Sequence, residues 1–188
     1  MAADTFQALI VCTANECRSV FTVDTLSALP AFRSWKFASR GTAPEPGTGV
    51  CTDLVMFKPH ASAQLDSATI TRADLVLVME REHRSRVAEL VPAARSRVFL
   101  LREAARLAEF VGDTLISGVE TESGFATSKP RGFAALGRAG QLRWLISEMH
   151  EARTYIDAPA DEDVRDAHGE NAAPHQEVKR QIEATSAQ

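Results

Sequence analysis

Four short apolar runs, separated by segments of helical spacing, set the tightest limit on how this chain can fold. The runs are "FQALIVC" (6–12), "WKFAS" (35–39), "ADLVLVM" (73–79) and "SRVFLL" (96–101). Between them, 18–29 places Phe21, Leu26 and Leu29 near one helical face and stops at Pro30. "VCTDLVMF" (50–57) and "REHRSRVAELV" (81–91) read as further helices, halted by Pro59 and Pro92. Strands without polar alternation, joined by crossover helices, belong in a parallel sheet covered on both faces. The expected fold class is therefore α/β, a four-stranded parallel sheet flanked by helices.

The pattern changes after residue 101. "REAARLAEFV" (102–111) reads as an amphipathic helix, and 112–132, rich in Gly, Ser and Thr, as a loop or lid. A long helix is expected over 133–153, with Leu142, Leu145, Ile146 and Met149 at helical spacing. A polar, acidic stretch (155–174) leads to a last helix at 175–188. One domain over 1–188 is expected, with 102–160 as a helical insertion after the fourth strand. The insertion is expected to be a surface excursion that packs on the domain; capping the sheet, lining the site entrance and forming a homodimer contact are the alternatives.

Apolar residues make up 45% of the 188, enough for a sizeable core. A net charge of -4 offers no field for a nucleic-acid partner. No apolar run nears the roughly 20 residues a membrane-spanning helix needs, so no membrane partner is expected. The N-terminal "MAADTFQ" lacks a basic, signal-like start, so the expected location is cytoplasmic. Three cysteines, Cys12, Cys17 and Cys51, are an odd number and suit free thiols in a reducing compartment better than a disulfide framework.

The chemistry concentrates where the first strand meets the first helix. If Cys12 ends the strand and Ser19 begins the helix, the intervening loop sits at a helix N-terminus. Unpaired backbone N–H groups and the helix dipole make that an anion site. Arg18 adds a permanent cation whose fork suits phosphate. A thiol there is set up to act as a thiolate and attack phosphorus. The alternative, a small buried cysteine and a solvated arginine, would explain a lone C-x5-R. It does not explain why strand, loop, serine and helix all agree.

"VCTANECRS" resembles the phosphate-binding loop of the low-molecular-weight protein tyrosine phosphatases, V-C-x-G-N-x-C-R-S-P, at Val11, Cys12, Asn15, Cys17, Arg18 and Ser19. "ASRGT" (38–42), "HASAQL" (60–65) and "ADLVLVME" (73–80) resemble further segments of the same family, so the likeness covers roughly 6–100 and resumes near 163. The resemblance implies a flavodoxin-like sheet and a hydrolase that uses no metal and no cofactor. Residues Thr13, Ala14, Asn15, Glu16, Cys17, Arg18 and Ser19 would form the phosphate loop. Cys12 would be the nucleophile, Arg18 the phosphoryl clamp, and Ser19 a donor to the sulfur. Ser39 and His60 would brace Asn15. Cys17 would be able to pair reversibly with Cys12 against over-oxidation. Aligned on the last helix, Asp166 falls on the family's general acid and His168 on its aromatic partner; Asp157, Asp161 and Asp163 lie nearby.

Four positions depart from the family pattern. Ala14 stands for a glycine and Val20 for a proline. Glu16 stands for an apolar residue that packs on a substrate ring, and His168 for a tyrosine, so the substrate pocket would hold Glu16 and His168. The expected substrate is a phosphorylated protein or peptide, phosphotyrosine first. A carboxylate at 16 also suits the guanidinium of phosphoarginine, since family members acting on it are polar there. Arsenate reductases of this fold use further cysteines that 80–95 lacks. A non-catalytic phosphate-binding module is the remaining alternative.

Overall fold

The computed structural model describes residues 5–45, 60–167 and 172–186, with the side chains of 172 and 173 left aside. The helix expected at 50–57, Cys51 and His168 lie outside the described residues.

Four strands pair in parallel: β1 (Gln7–Cys12), β2 (Lys36–Gly41), β3 (Leu75–Val78) and β4 (Val98–Leu100). Their order is β2-β1-β3-β4. The chain leaves β1 toward one side and returns on the other, so the order reverses at β1. The crevice at the carboxyl end of that strand is where open α/β sheets bind ligands. Register sets Cys12 opposite Gly41 and Val11 opposite Val78.

Strand alternation divides the core into two layers. Ala8, Ile10, Cys12, Leu75, Leu77 and Phe99 face one layer. It is filled from α1 (Arg18–Ala28), α4 (Leu101–Ser117), α5 (Gly137–Ala152) and α6 (Ala172–Ser186), through Phe21, Leu107, Val111, Ile146, Met149, Val178 and Ile182. Leu9, Val11, Val76, Val78, Val98 and Leu100 face the other layer, against Ile70 of α2 (Ser67–Arg72) and Val87 of α3 (Arg81–Leu90). Each such side chain contributes about 1.5–3 kcal/mol on burial, so both layers are substantial.

The helices after β4 are part of that core rather than a surface excursion, since Leu107, Val111, Ile146 and Met149 are buried in it. α4 outruns its expected end because the chain stays buried on both sides of Gly112, at Val111 and Thr114, and it stops at Gly118, φ 64. The stretch read as a loop or lid is folded in part. Phe125 is buried, its ring 5.2 Å from Phe110 and 5.4 Å from Tyr155. The helix expected at 133–153 is instead a 3-10 turn, Phe133–Leu136, broken from α5 at Gly137, φ 66.

Candidate active site

β1 delivers Cys12 and α1 receives Arg18; the loop between them is held mainly through Asn15. Asn15 has φ 59 and is the only non-glycine with positive φ among the described residues. Asparagine tolerates that region better than most residues. Its carbonyl accepts from His60 Nε2 at 2.7 Å and from Ser62 Oγ at 3.1 Å. Its Oδ1 accepts the Ala63 N–H at 3.0 Å, which turns Nδ2 toward Ser19 Oγ, 3.0 Å away. Ser19 Oγ, which accepts from Asn15, lies 3.0 Å from Cys12 Sγ and is placed to donate to it when the sulfur is a thiolate. The Asn15 N–H lies 3.3 Å from the same sulfur. Two donors aimed at one sulfur are what a thiolate nucleophile and leaving group requires.

Gly41 permits this closeness. A Cβ there would lie 2.5 Å from the Thr13 carbonyl oxygen and 3.1 Å from Asn15 Cβ. The loop instead seals against the end of β2, with Thr42 N–H donating to Cys12 O and Ala43 N–H to Thr13 O, both at 3.0 Å.

The Arg18 side chain is 2% exposed, so its charge must be met inside the protein. Nη1 pairs with Glu80, just past β3, and donates to Val164 O at 2.8 Å. Nη2 donates to Thr13 Oγ1 at 3.2 Å and pairs with Asp166 Oδ2 at 2.6 Å. His83 of α3 completes the cluster, its Nε2 3.0 Å from Thr13 Oγ1 and its Nδ1 accepting the Glu80 N–H at 3.1 Å. Burial, and then the charge of Arg18, push the His83 ring from its ordinary 6.5 to about 4. The acidic residues Glu82, Asp166 and Asp163 oppose that shift.

The acidic stretch is tethered rather than loose. The Val164 N–H donates to Met79 O at 2.7 Å, and Val164 and Ala167 are buried. Glu162, also buried, pairs with Arg106 of α4 at 2.8 Å. Asp163 accepts the Arg81 N–H at 3.1 Å, and Asp161 the Asp163 N–H at 3.2 Å. Of the candidate aspartates, Asp166 is the one that reaches Arg18, and its side chain remains 39% exposed.

A sequence model of the low molecular weight phosphotyrosine protein phosphatases matches residues 7–109, more than half of the chain. The chain belongs to this family. Solved structures with the same fold include the YwlE arginine phosphatase from Geobacillus stearothermophilus, at 19% identity and a TM-score of 0.61, over 97% of this chain and 88% of that one. They also include the tyrosine phosphatase Wzb from Escherichia coli K30 in complex with phosphate, at 18% identity and a TM-score of 0.61, over 97% and 94%. A third is the low molecular weight protein tyrosine phosphatase from T. tengcongensis, at 17% identity and 0.59, over 97% and 96%. No curated protein sequence matches the chain.

In this phosphatase, Cys12, Asn15, Arg18, Ser19, His60 and Asp166 lie together around the loop, with His60 holding the Asn15 carbonyl. Ser39 lies on β2 opposite Ile10, and no side-chain bond joins it to Asn15 among the described residues. The brace comes from Ser62 and Ala63, whose segment lies beside Gly41. Ala14 keeps negative φ, so the missing glycine costs no left-handed strain. Glu16 is buried at 8% exposure, and Cys12 and Cys17 are buried as well. Glu80, His83 and Arg106 carry no sequence signal of their own. A scan for an acidic partner to the buried Arg18 could have found Glu80, directly after the third apolar run. No cluster able to hold a metal occurs among the described residues.

Proposed function

We propose that the chain hydrolyses phosphomonoesters on protein side chains, phosphotyrosine first, through a cysteinyl-phosphate. The observation that carries this is the pairing of Asp166 with Arg18 at the loop of Cys12. It brings nucleophile, clamp and proton donor together from residues far apart in sequence. Phosphoryl oxygens arriving at the loop compete with Asp166 for Arg18 Nη2, which frees Asp166 for the leaving oxygen. The Cys12 thiol proton passes to the freed Asp166 carboxylate; Cys12 Sγ attacks phosphorus, the P–O ester bond breaks, and Asp166 gives that proton to the departing oxygen. Asp166 then takes a proton from water as that water attacks phosphorus and the P–S bond breaks. The donated bond from Ser19 steadies the sulfur as it leaves. In this reading the positive charge comes from Arg18 and the backbone N–H groups of the loop, so the chemistry calls for no metal. The proposed setting is the cytoplasm, with a phosphorylated protein or peptide as partner.

Hydrolysis of p-nitrophenyl phosphate, abolished in Cys12→Ser, tests the reading. Tight oxyanion binding without turnover would favour a phosphate-binding module instead.

A second reading, phosphoarginine, is favoured by Glu16, an acidic side chain buried within the loop where an apolar one suits a phenyl ring. It expects wild-type kcat/KM on phosphoarginine peptides to exceed that on phosphotyrosine peptides, with Glu16→Ile reversing the order. A strong wild-type preference for phosphotyrosine would reject it.

A further inference from the structure

We infer that His83 is a positioning residue for the phosphate loop: it commits the Thr13 hydroxyl to donating its proton to a phosphoryl oxygen. The inference rests on the phosphatase reading above and extends it to a side chain outside the loop.

The bonding pattern leaves little choice. His83 Nδ1 accepts the Glu80 N–H at 3.1 Å, so a neutral ring carries its proton on Nε2. Nε2 lies 3.0 Å from Thr13 Oγ1 and therefore donates to it. Arg18 Nη2 donates to the same oxygen at 3.2 Å. A hydroxyl has two lone pairs and one proton. With both lone pairs facing donors, the Thr13 proton must seek an acceptor elsewhere. Arg18 Nη2 also holds Asp166 Oδ2 at 2.6 Å, so an oxyanion that exchanges with Asp166 arrives beside Thr13. The hydroxyl then meets it already set as a donor, without a rotor to reorganise.

Histidine suits the position. A lysine or arginine would set a second cation against Arg18. A carboxylate would accept the Thr13 proton and turn it away from the phosphate. The ring is 2% exposed, and its lowered pKa keeps it neutral where a phosphatase works. The alternative is that His83 serves only to cap α3 through the Glu80 N–H. The two roles use different nitrogens and are separable. Asparagine at 83 places an oxygen near Nδ1, which keeps the cap, and cannot reach Thr13. Glutamine places an amide N–H near Nε2, which keeps the donation to Thr13.

The test is calorimetric titration of inorganic phosphate into wild type, His83→Asn, His83→Gln, Thr13→Val and Thr13→Ser, with p-nitrophenyl phosphate kinetics alongside. His83→Asn and Thr13→Val are expected to weaken phosphate binding about tenfold or more, the loss of a charge-assisted hydrogen bond. His83→Gln and Thr13→Ser are expected to restore most of it. His83→Asn added to Thr13→Val is expected to cost nothing further, because the two act through one proton. Unchanged affinity in His83→Asn, or equal losses in His83→Asn and His83→Gln, overturns the inference and leaves the helix cap. Should His83→Asn not fold, equal affinity in Thr13→Val and Thr13→Ser overturns it as well. If wild type binds phosphate with this ranking but hydrolyses nothing, the phosphatase reading falls and the positioning of Thr13 stands.

Discussion

Asp166 pairs with Arg18, and in the proposed mechanism it also protonates the leaving group; that double duty makes it the most informative single residue. Asp166→Ala is expected to lower kcat on phenyl phosphate by about a hundredfold or more, the usual yield of a positioned acid. The loss should be smaller on p-nitrophenyl phosphate, whose leaving group needs less protonation; steady-state kinetics on the pair checks it. Gly41 is the residue whose change costs most for its size. Gly41→Ala would drive a methyl into the Thr13 carbonyl, with an expected loss of about 1–3 kcal/mol and of phosphate affinity. Urea unfolding and phosphate titration measure the two. Cys12, Asn15, Arg18 and Ser19 were legible because a short string carries them. Gly41 and Glu80 lie in matching strings too, but their roles arise from strand register, and His83 lies in none, its role arising from α3 packing beside the loop. Ser39 shows the opposite failing: a short matching string placed it in the brace, and the backbone geometry gave the work to Ser62 and Ala63.

α4 shows how an element far from the loop serves the site. Glu103, buried in its first turn, pairs with Arg84 of α3 and with Arg153 past α5, and accepts the Leu100 N–H at 2.9 Å. The Arg153 guanidinium lies over the Phe99 ring at 4.0 Å. This network joins three helices to the end of β4. Removing the carboxylate would leave two arginines short of their common partner. Glu103→Ala is expected to cost about 3–5 kcal/mol in urea unfolding, as other broken buried pairs do. α2 is smaller and simpler. Asp66 caps it by accepting the Thr69 N–H at 2.7 Å, and Asp66→Ala is expected to cost about 1 kcal/mol. The strands and α1, α3 and α6 were legible from periodicity. α2 was not, since its six residues hold two threonines and an isoleucine and draw their order from the cap and from Ile70 in the core. The true end of α4 was hidden by Gly112, a residue read as a breaker that tertiary burial on both sides overrode.

At the scale of the whole molecule, the site depends on parts brought from opposite ends of the chain: a loop at 12–18, a brace at 60–63, and an acidic stretch locked to Met79, Arg81 and Arg106. The parallel sheet was legible from four apolar runs, whereas the strand order came from the structure. Asp166 was singled out in the acidic stretch only through the family resemblance, because acidic residues in a polar segment look alike until packing separates them. His83 ties this arrangement to pH. Its folded value of about 4 lies below the ordinary 6.5, so between those values the unfolded chain binds the extra proton. Stability should therefore fall as pH drops from about 6.5 to about 4 and gain nothing further above, by on the order of 3 kcal/mol. Urea unfolding of wild type and His83→Gln at pH 7 and 5 checks this, the variant losing less. Asp66, held below 3.8 first by its bonds to Thr69, adds its own loss only at lower pH. The most direct measurement for the molecule as an enzyme is rapid-quench mass spectrometry during turnover of p-nitrophenyl phosphate in chelator. A transient phosphoryl group on the peptide carrying Cys12, absent in Cys12→Ser together with turnover, is the expected result. Turnover that survives Cys12→Ser, or wild-type turnover with no adduct under any quench time in Asp166→Ala or wild type, would contradict it.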